Sequence, residues 1–206
     1  MKVALIGDSH SQVTAPMIAD LIRKKGDVVT DIVSKAGWGI KSFLDSPQVL
    51  ESLLASNPDA IIVLLGGNNH ILDDLRYREQ MNRFLLMIGY PKRKIIWVAP
   101  ATAIRNDVEI RHDWTDKWLK KNLPKPIKYI SSKEYTTENH RDDGVHFTRQ
   151  GYQYWVDNIW GKISQAISIP IVLYKARQST NLKIVLSLGI TTYLLWKFYG
   201  YTNKHT

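Results

Sequence analysis

The 206-residue chain contains no cysteine, which excludes disulfide bonds and thiolate metal ligands. Acidic residues are scarce: 19 Asp and Glu stand against 28 Lys and Arg, which gives a formal net charge of +9. Solvated helix faces and loops are the simpler interpretation of this charge, and an anionic partner surface is the alternative. No nucleic-acid-binding motif accompanies the charge, so no specific nucleic acid is expected.

A secretory signal segment is not recognisable at the N terminus. Met1 and Lys2 are followed directly by the apolar residues 3–6, which are too few for a signal core and are needed as a strand. For a cellular protein, this favours a cytosolic location of the N-terminal domain.

Short apolar runs alternate with helical patterns, which is typical of a parallel sheet covered by helices on both faces. The sequence therefore predicts a three-layer α/β/α domain over residues 1–168. We predict strands near residues 2–6, 28–33, 60–65, 94–99 and 127–131. We predict helices near residues 15–25, 47–56, 74–88, 113–122 and 149–167.

Local signals refine these boundaries. Pro16 and Pro47 are expected in the first turns of helices, where a missing N–H costs nothing. Thr148 is the expected N-cap of the last predicted helix. Residues 100–112 are predicted to form a long loop or lid that shapes selectivity.

The composition changes towards the C terminus. Residues 169–181 are predicted to form a basic linker, and residues 202–206 a polar tail. Between them, Leu182–Tyr201 is mostly apolar and would span about 30 Å as a helix. Lys183 and Lys197 shorten its uncharged part, so three interpretations stay open. A C-terminal membrane anchor is preferred, and a helix within a protein assembly and an ordinary core helix are the alternatives.

A serine stands on the predicted turn after the first strand, in Gly7-Asp8-Ser9. A serine hydroxyl becomes a nucleophile only when a base removes its proton. In Asp143-Gly144-Val145-His146, a carboxylate precedes a histidine by three residues. This spacing lets Asp143 orient His146 as a base, as in a serine hydrolase. Asp142 is a rival for the orienting role.

A third motif, Gly66-Gly67-Asn68-Asn69, follows the predicted strand at 60–65. In a doubly wound sheet, this loop and the Ser9 turn meet beyond the carboxyl ends of the strands. The Asn68 amide is therefore a candidate oxyanion donor. An ordinary turn asparagine is the simpler alternative.

The three motifs in this order resemble the SGNH hydrolases, also called GDSL lipase/esterases. Gly7-Asp8-Ser9 matches the first block of the family, Gly66-Gly67-Asn68 the third, and Asp143-Gly144-Val145-His146 the fifth. The resemblance covers about residues 1–167. It implies the flavodoxin-like SGNH fold with a five-stranded parallel sheet.

The second block of the family is a single glycine after the second strand. Gly37 and Gly39 both qualify, and Gly37 is preferred because residues 40–44 then fall where the family starts its next helix. The resemblance implies that Ser9 is the nucleophile, His146 the general base and Asp143 its orienter. It also implies an oxyanion hole formed by the Ser9 N–H, the Gly37 N–H and the Asn68 amide.

The resemblance further implies ester hydrolysis without a metal or an organic cofactor. We expect a serine esterase acting through an acyl-Ser9 intermediate on a small acyl group, such as acetyl, carried by a carbohydrate or envelope polymer. A lipid ester is the second choice. A catalytically silent SGNH-fold binding or structural module in a membrane or virion assembly is the alternative of another class. The expected location is a membrane with the domain on the cytosolic side, or a virion if the chain is viral.

Two positions depart from the family pattern. His10 replaces a leucine that often follows Gly-Asp-Ser, and Asn69 replaces the aspartate that closes the third block. We expect both to reshape the pocket. His10, His70 and His112 are expected near the crevice, but their spacing is not that of a metal site. His140 is expected to be a loop residue.

Overall fold

Five parallel strands form the central sheet in the computed structural model, which describes residues 1–70 and 72–169. The strands are β1 Lys2–Gly7, β2 Val28–Ser34, β3 Ala60–Leu64, β4 Lys94–Val98 and β5 Lys128–Ile130. Their spatial order is β2-β1-β3-β4-β5. All five predicted strands are confirmed, because Val- and Ile-rich runs bounded by turn residues identify buried parallel strands.

In the part of the chain that the structure describes, six α-helices connect or follow these strands: α1 Ser11–Lys24, α2 Ile40–Leu44, α3 Pro47–Ala55, α4 Asp74–Met87, α5 Asn106–Asn122 and α6 Arg149–Ser168. A short 3₁₀ helix covers Lys133–Tyr135. The expectations for Pro47 and Thr148 are confirmed. Pro47 lies in the first turn of α3, and the Thr148 side chain accepts a hydrogen bond of 3.2 Å from the Gly151 N–H as the N-cap of α6.

The start of α1 differs from the prediction. The helix begins at Ser11, directly after the Ser9 turn, and not near residue 15. The prediction for Pro16 is therefore wrong, since this proline lies inside α1. The proline was interpreted as a start signal, whereas the chain enters the helix from the turn that carries Ser9.

The prediction of a long loop or lid at residues 100–112 is also wrong for its second half, because α5 begins at Asn106. Asp107 and Glu109 lie in the first turn of α5, where their negative charges interact favourably with the positive end of the helix dipole. Val108 and His112 are buried at helical spacing. The buried positions of this helix include polar residues, which hid its periodicity in the sequence.

Alternate residues of each central strand point to opposite faces of the sheet. Val3 and Leu5 of β1 belong to the core beneath α1 and α6. Ala4 and Ile6 belong to the other core, which α2, α3, α4 and α5 cover. The three-layer α/β/α fold class is thus confirmed for the described residues.

Met1–Ile169 forms one compact unit. The predicted linker beyond Ile169, the predicted apolar helix at 182–201 and the polar tail at 202–206 lie outside the described residues. Within residues 1–70 and 72–169, no helix has the length and apolarity that crossing a membrane requires.

Candidate active site

Ser9 lies on the tight turn between β1 and α1. A Cβ atom at Gly7 would lie 2.4 Å from the Ser11 Cβ and 2.7 Å from the Leu64 carbonyl oxygen, so only glycine fits where this turn begins. The Gln12 N–H donates to the Ser9 carbonyl at 3.2 Å, which joins the serine to the start of α1. The half-buried Ser9 side chain therefore stands at the carboxyl edge of the sheet, beside a helix N terminus.

A continuous hydrogen-bond chain joins the three residues of the predicted triad. The His146 Nε2 lies 2.9 Å from the Ser9 Oγ. On the other side of the ring, the His146 Nδ1 lies 2.8 Å from the Asp143 Oδ2. Ser9 and His146 are separated by 137 positions in the sequence. The partner of His146 is Asp143 and not its neighbour Asp142.

The Asp143 carboxylate is held by the turn that it begins. Its Oδ1 accepts the N–H groups of Val145 at 2.9 Å and of His146 at 2.8 Å. These two backbone donors, together with the His146 ring, hold the pKa of Asp143 well below its usual range. Asp143 is therefore an anion over the pH range of ordinary assays. An anion at this position fixes the orientation of the imidazole ring.

Asn68 lies beside Ser9 on the loop after β3. Its Nδ2 donates to the Trp38 carbonyl at 3.3 Å, which uses one of its two amide hydrogens. A Cβ atom at Gly39 would lie 2.6 Å from the Asn68 carbonyl oxygen. The segment at 38–39 thus packs against Asn68, and one amide hydrogen is left for another acceptor.

Gly37 adopts a φ of +73°, in the left-handed region that favours glycine. It is exposed and lies next to Trp38, whose carbonyl accepts from Asn68. α2 begins at Ile40, so the helix expected over residues 40–44 is present, and the choice of Gly37 over Gly39 stays a prediction. The role of the Gly37 N–H in an oxyanion hole stays a prediction.

A crevice of about 180 Å³ contains Ser9. Its lining residues come from three loops and from α5: Asp8, Ser9, His10, Gly67, Asn68, Arg105, Val108, Arg111, His112 and Val145. The crevice thus brings Ser9 and Asn68 together. Arg105, Val108 and Arg111 were not anticipated, because their place in the crevice depends on α5 starting at Asn106 rather than at 113.

Two buried titratable groups flank the Gly67 peptide. The Asp8 Oδ1 accepts the backbone N–H of His10 at 3.1 Å. Burial raises the pKa of Asp8 to about 7, although the backbone N–H groups of His10 and Gly67 oppose this shift. The ring of His112 places its Nε2 3.1 Å from the Gly67 carbonyl oxygen and its Nδ1 2.7 Å from the Ala101 carbonyl oxygen. Burial lowers the pKa of His112, whereas its two carbonyl partners oppose that shift. Together these groups fix the peptide that precedes Asn68.

The other histidines are placed as follows. His10 and His112 line the crevice, as expected, whereas His70 is exposed and does not line it. His140 lies on the loop before Asp143, where its ring packs 4.4 Å from that of Phe147, measured between centroids. In residues 1–70 and 72–169, no group of three or more His, Asp or Glu side chains is arranged to hold a metal ion.

The sequence of this chain matches no protein-family model and no curated protein. Solved structures match its fold. A lipase/acylhydrolase from Enterococcus faecalis aligns with a TM-score of 0.62 and 21% identity, over 78% of this chain and 96% of that chain. A GDSL-like lipase from Bacteroides thetaiotaomicron aligns with a TM-score of 0.57 and 16% identity, over 80% of this chain and 88% of that chain.

A variant of an acetyl-xylooligosaccharide esterase from Geobacillus Stearmophilus aligns with a TM-score of 0.64 and 13% identity, over 82% of this chain and 94% of that chain. Identities this low show the fold alone. The chain has the SGNH hydrolase fold, as the order of its motifs indicated.

Proposed function

We propose that the protein is a serine esterase, which hydrolyses carboxylic esters through an acyl-Ser9 intermediate. The observation that carries the proposal is the unbroken hydrogen-bond chain from the Ser9 hydroxyl through His146 to the Asp143 carboxylate. The fold of known lipases and acetyl esterases supports it.

In the first half-reaction, the Ser9 Oγ attacks the ester carbonyl carbon while the His146 Nε2 takes the hydroxyl proton. Asp143 stabilises the imidazolium that forms. The tetrahedral intermediate then collapses, and His146 returns the proton to the alcohol as it leaves. In the second half-reaction, His146 activates a water that releases the acid and restores the Ser9 hydroxyl.

Negative charge develops on the former carbonyl oxygen in both steps. The proposed donors to this oxyanion are the Ser9 N–H, the Gly37 N–H and the free amide hydrogen of Asn68. The N terminus of α1 adds a favourable partial positive charge beside Ser9. No metal or organic cofactor is required for this chemistry.

The proposed substrate carries a small acyl group, such as acetyl, on a carbohydrate or envelope polymer. A crevice of about 180 Å³ around Ser9 suits a short acyl group better than a long one. One of the fold neighbours is described as an acetyl-xylooligosaccharide esterase. Release of acetate from acetylated glycans, compared with 4-nitrophenyl esters of increasing chain length, tests this choice.

A lipid ester is the second candidate substrate. A separate, mostly apolar groove of about 590 Å³ supports it, with Val13, Pro16 and Met17 of α1 along one wall. Activity that rises from acetyl to decanoyl esters would favour the lipid, and activity that falls steadily from acetyl would favour the small acyl group.

Membrane association through residues 182–201 is proposed from the sequence pattern alone, with the enzyme domain on the cytosolic side or, for a viral chain, on a virion. Sedimentation with liposomes, compared for the full chain and for a chain truncated after Gln178, tests it. Equal sedimentation of both forms contradicts the anchor.

Hydrolysis of 4-nitrophenyl acetate by the full chain tests the proposed activity itself. We expect Ser9→Ala to lose the activity and Ser52→Ala, a change at an exposed serine of α3, to keep it. A Ser9→Ala variant that retains the wild-type rate contradicts the mechanism, and an inactive wild type favours the silent binding module.

A further inference from the structure

Arg111 is one of two arginines that line the crevice that contains Ser9. It lies on α5 and lines the crevice together with Ser9 and Asn68. Its Nε is inaccessible to solvent and has no hydrogen-bond partner. Within residues 1–70 and 72–169, no carboxylate forms an ion pair with this guanidinium.

The neighbouring arginine differs in this respect. Arg105, which also lines the crevice, binds Asp107 through both its Nη2, at 2.8 Å, and its Nε, at 3.2 Å. The opposite charges of Arg105 and Asp107 therefore compensate each other, and more than half of each of these two side chains is exposed. Asp107 also lies one helical turn before Arg111, whose charge contributes to the lowered pKa of Asp107, but the hydrogen bonds of both carboxylate oxygens go to Arg105.

The remaining acid in the crevice does not pair with Arg111 either. The Asp8 carboxyl group accepts the backbone N–H of His10 at 3.1 Å and forms no hydrogen bond or ion pair with Arg111 within the described residues. A partly buried guanidinium without a hydrogen-bonded acid is unfavourable, and its fork of donors matches a carboxylate, phosphate or sulfate. The site is therefore complementary to an anion within reach of Ser9.

We propose that the substrate is an anionic ester, whose acyl or alcohol part carries a carboxylate, phosphate or sulfate group near the reacting carbonyl, and that Arg111 binds this group. The inference rests on the proposed esterase function and names its substrate class. Arg111 acts here as a specificity-determining residue, which holds the ester while Ser9 attacks it.

Two pairs of chromogenic or phenolic esters test the inference with the full chain. Mono-4-nitrophenyl succinate against 4-nitrophenyl acetate places the anion on the acyl side, and 4-acetoxybenzoate against phenyl acetate places it on the alcohol side. The measured quantity is the ratio of kcat/KM for the anionic ester to kcat/KM for the neutral ester. Dividing the wild-type ratio by the variant ratio cancels the intrinsic reactivity of each ester.

We expect Arg111→Met to reduce this ratio at least about tenfold in one of the two pairs, since a charge-assisted bidentate contact is lost. The pair of esters whose ratio falls shows whether the bound anion lies on the acyl side or on the alcohol side of the substrate. Arg111→Lys keeps the positive charge but loses the forked guanidinium, so its ratio is expected to lie between those of wild type and Arg111→Met. Arg83→Met, a change of equal charge at an exposed residue of α4, is the control and is expected to keep the wild-type ratio.

Unchanged ratios in both pairs for Arg111→Met and Arg111→Lys overturn the inference, as does an equal loss with Arg83→Met, which would reflect net charge alone. If Arg111→Met does not fold, Arg111→Lys decides by the same ratio. Ser9-dependent hydrolysis with an unchanged ratio overturns this inference alone. Absence of any Ser9-dependent hydrolysis overturns the proposed function instead.

Discussion

The imidazole ring of His10 packs against that of His146, with ring centroids 5.1 Å apart. Burial, reinforced by the nearby His146, lowers the pKa of His10 to about 3 from an ordinary 6.5. His10 is therefore neutral at neutral pH and packs against its neighbours as an uncharged ring. The Tyr152 hydroxyl oxygen lies 3.2 Å from the His10 Nδ1. In the SGNH hydrolases that the motifs of this chain resemble, a leucine often stands at this position.

The depressed pKa of His10 makes its contribution to stability depend on pH. Between about pH 6.5 and 3 the unfolded chain binds more protons at this residue than the folded chain does. The contribution is therefore present above pH 6.5 and is lost as the pH falls towards 3. The stability of His10→Leu relative to wild type should therefore increase as the pH falls from 7 to 4. The midpoint of urea unfolding, measured for both proteins at each pH, gives this difference.

The control for this experiment is Asn82→Leu, at an exposed residue of α4 that does not titrate. Its difference from wild type should stay constant over the same range. A His10→Leu difference that also stays constant would show that His10 is not kept neutral by the fold.

Removing the charge of Asp143 should slow catalysis without unfolding the turn. In Asp143→Asn, the side-chain oxygen can still accept from the backbone, but the anion facing the imidazolium is lost. By comparison with other triads, we expect kcat to fall by about 10⁴-fold. Asp142→Asn is the matched control one residue away and should stay near wild type in a steady-state assay. An equal fall in kcat in both variants would show that Asp143 is not the residue that orients His146.

Asn68 should matter for turnover more than for binding. Loss of one oxyanion donor costs about 3–4 kcal/mol of transition-state stabilisation, so Asn68→Ala should lower kcat by about 10²- to 10³-fold with little change in KM. Asn68→Asp, of nearly the same size, removes the donor and should lose as much. A kcat above half of the wild-type value in either variant would show that Asn68 does not donate to the oxyanion.

His112 is expected to act by positioning the loop before Asn68. A neutral imidazole donates through one ring nitrogen, so His112→Leu removes the donor of either the Gly67 or the Ala101 carbonyl group, at a cost of about 1–3 kcal/mol. We also expect a drop in kcat of up to about 10²-fold, because small displacements of catalytic groups are costly. Chemical unfolding and steady-state kinetics measure both effects. A destabilised variant with unchanged kcat would reduce His112 to a purely structural role.

The meeting of two site motifs could be predicted because they follow strands closely. Ser9 and Asn68 follow β1 and β3, which are neighbours in the sheet, so their loops must meet at one edge. The three-residue spacing of Asp143 and His146 also identified the pair that the structure brings together.

The part that could not be predicted depends on α5. A polar residue at a buried position, His112, conceals the helical period of residues 106–112, so the sequence predicts a loop or lid there. Arg111 has no signal in the sequence that marks it as a crevice residue. Only the packing of α5 over the carboxyl ends of the strands places it beside Ser9.

Labelling of the full chain with a fluorophosphonate, followed by mass spectrometry of its peptides, tests the central claim most directly. An activated serine attacks this reagent, and the adduct remains attached to its oxygen. The account predicts one adduct at Ser9, absent in Ser9→Ala and strongly slowed in His146→Ala. An unmodified Ser9, under conditions that label a serine esterase of known activity, would contradict it.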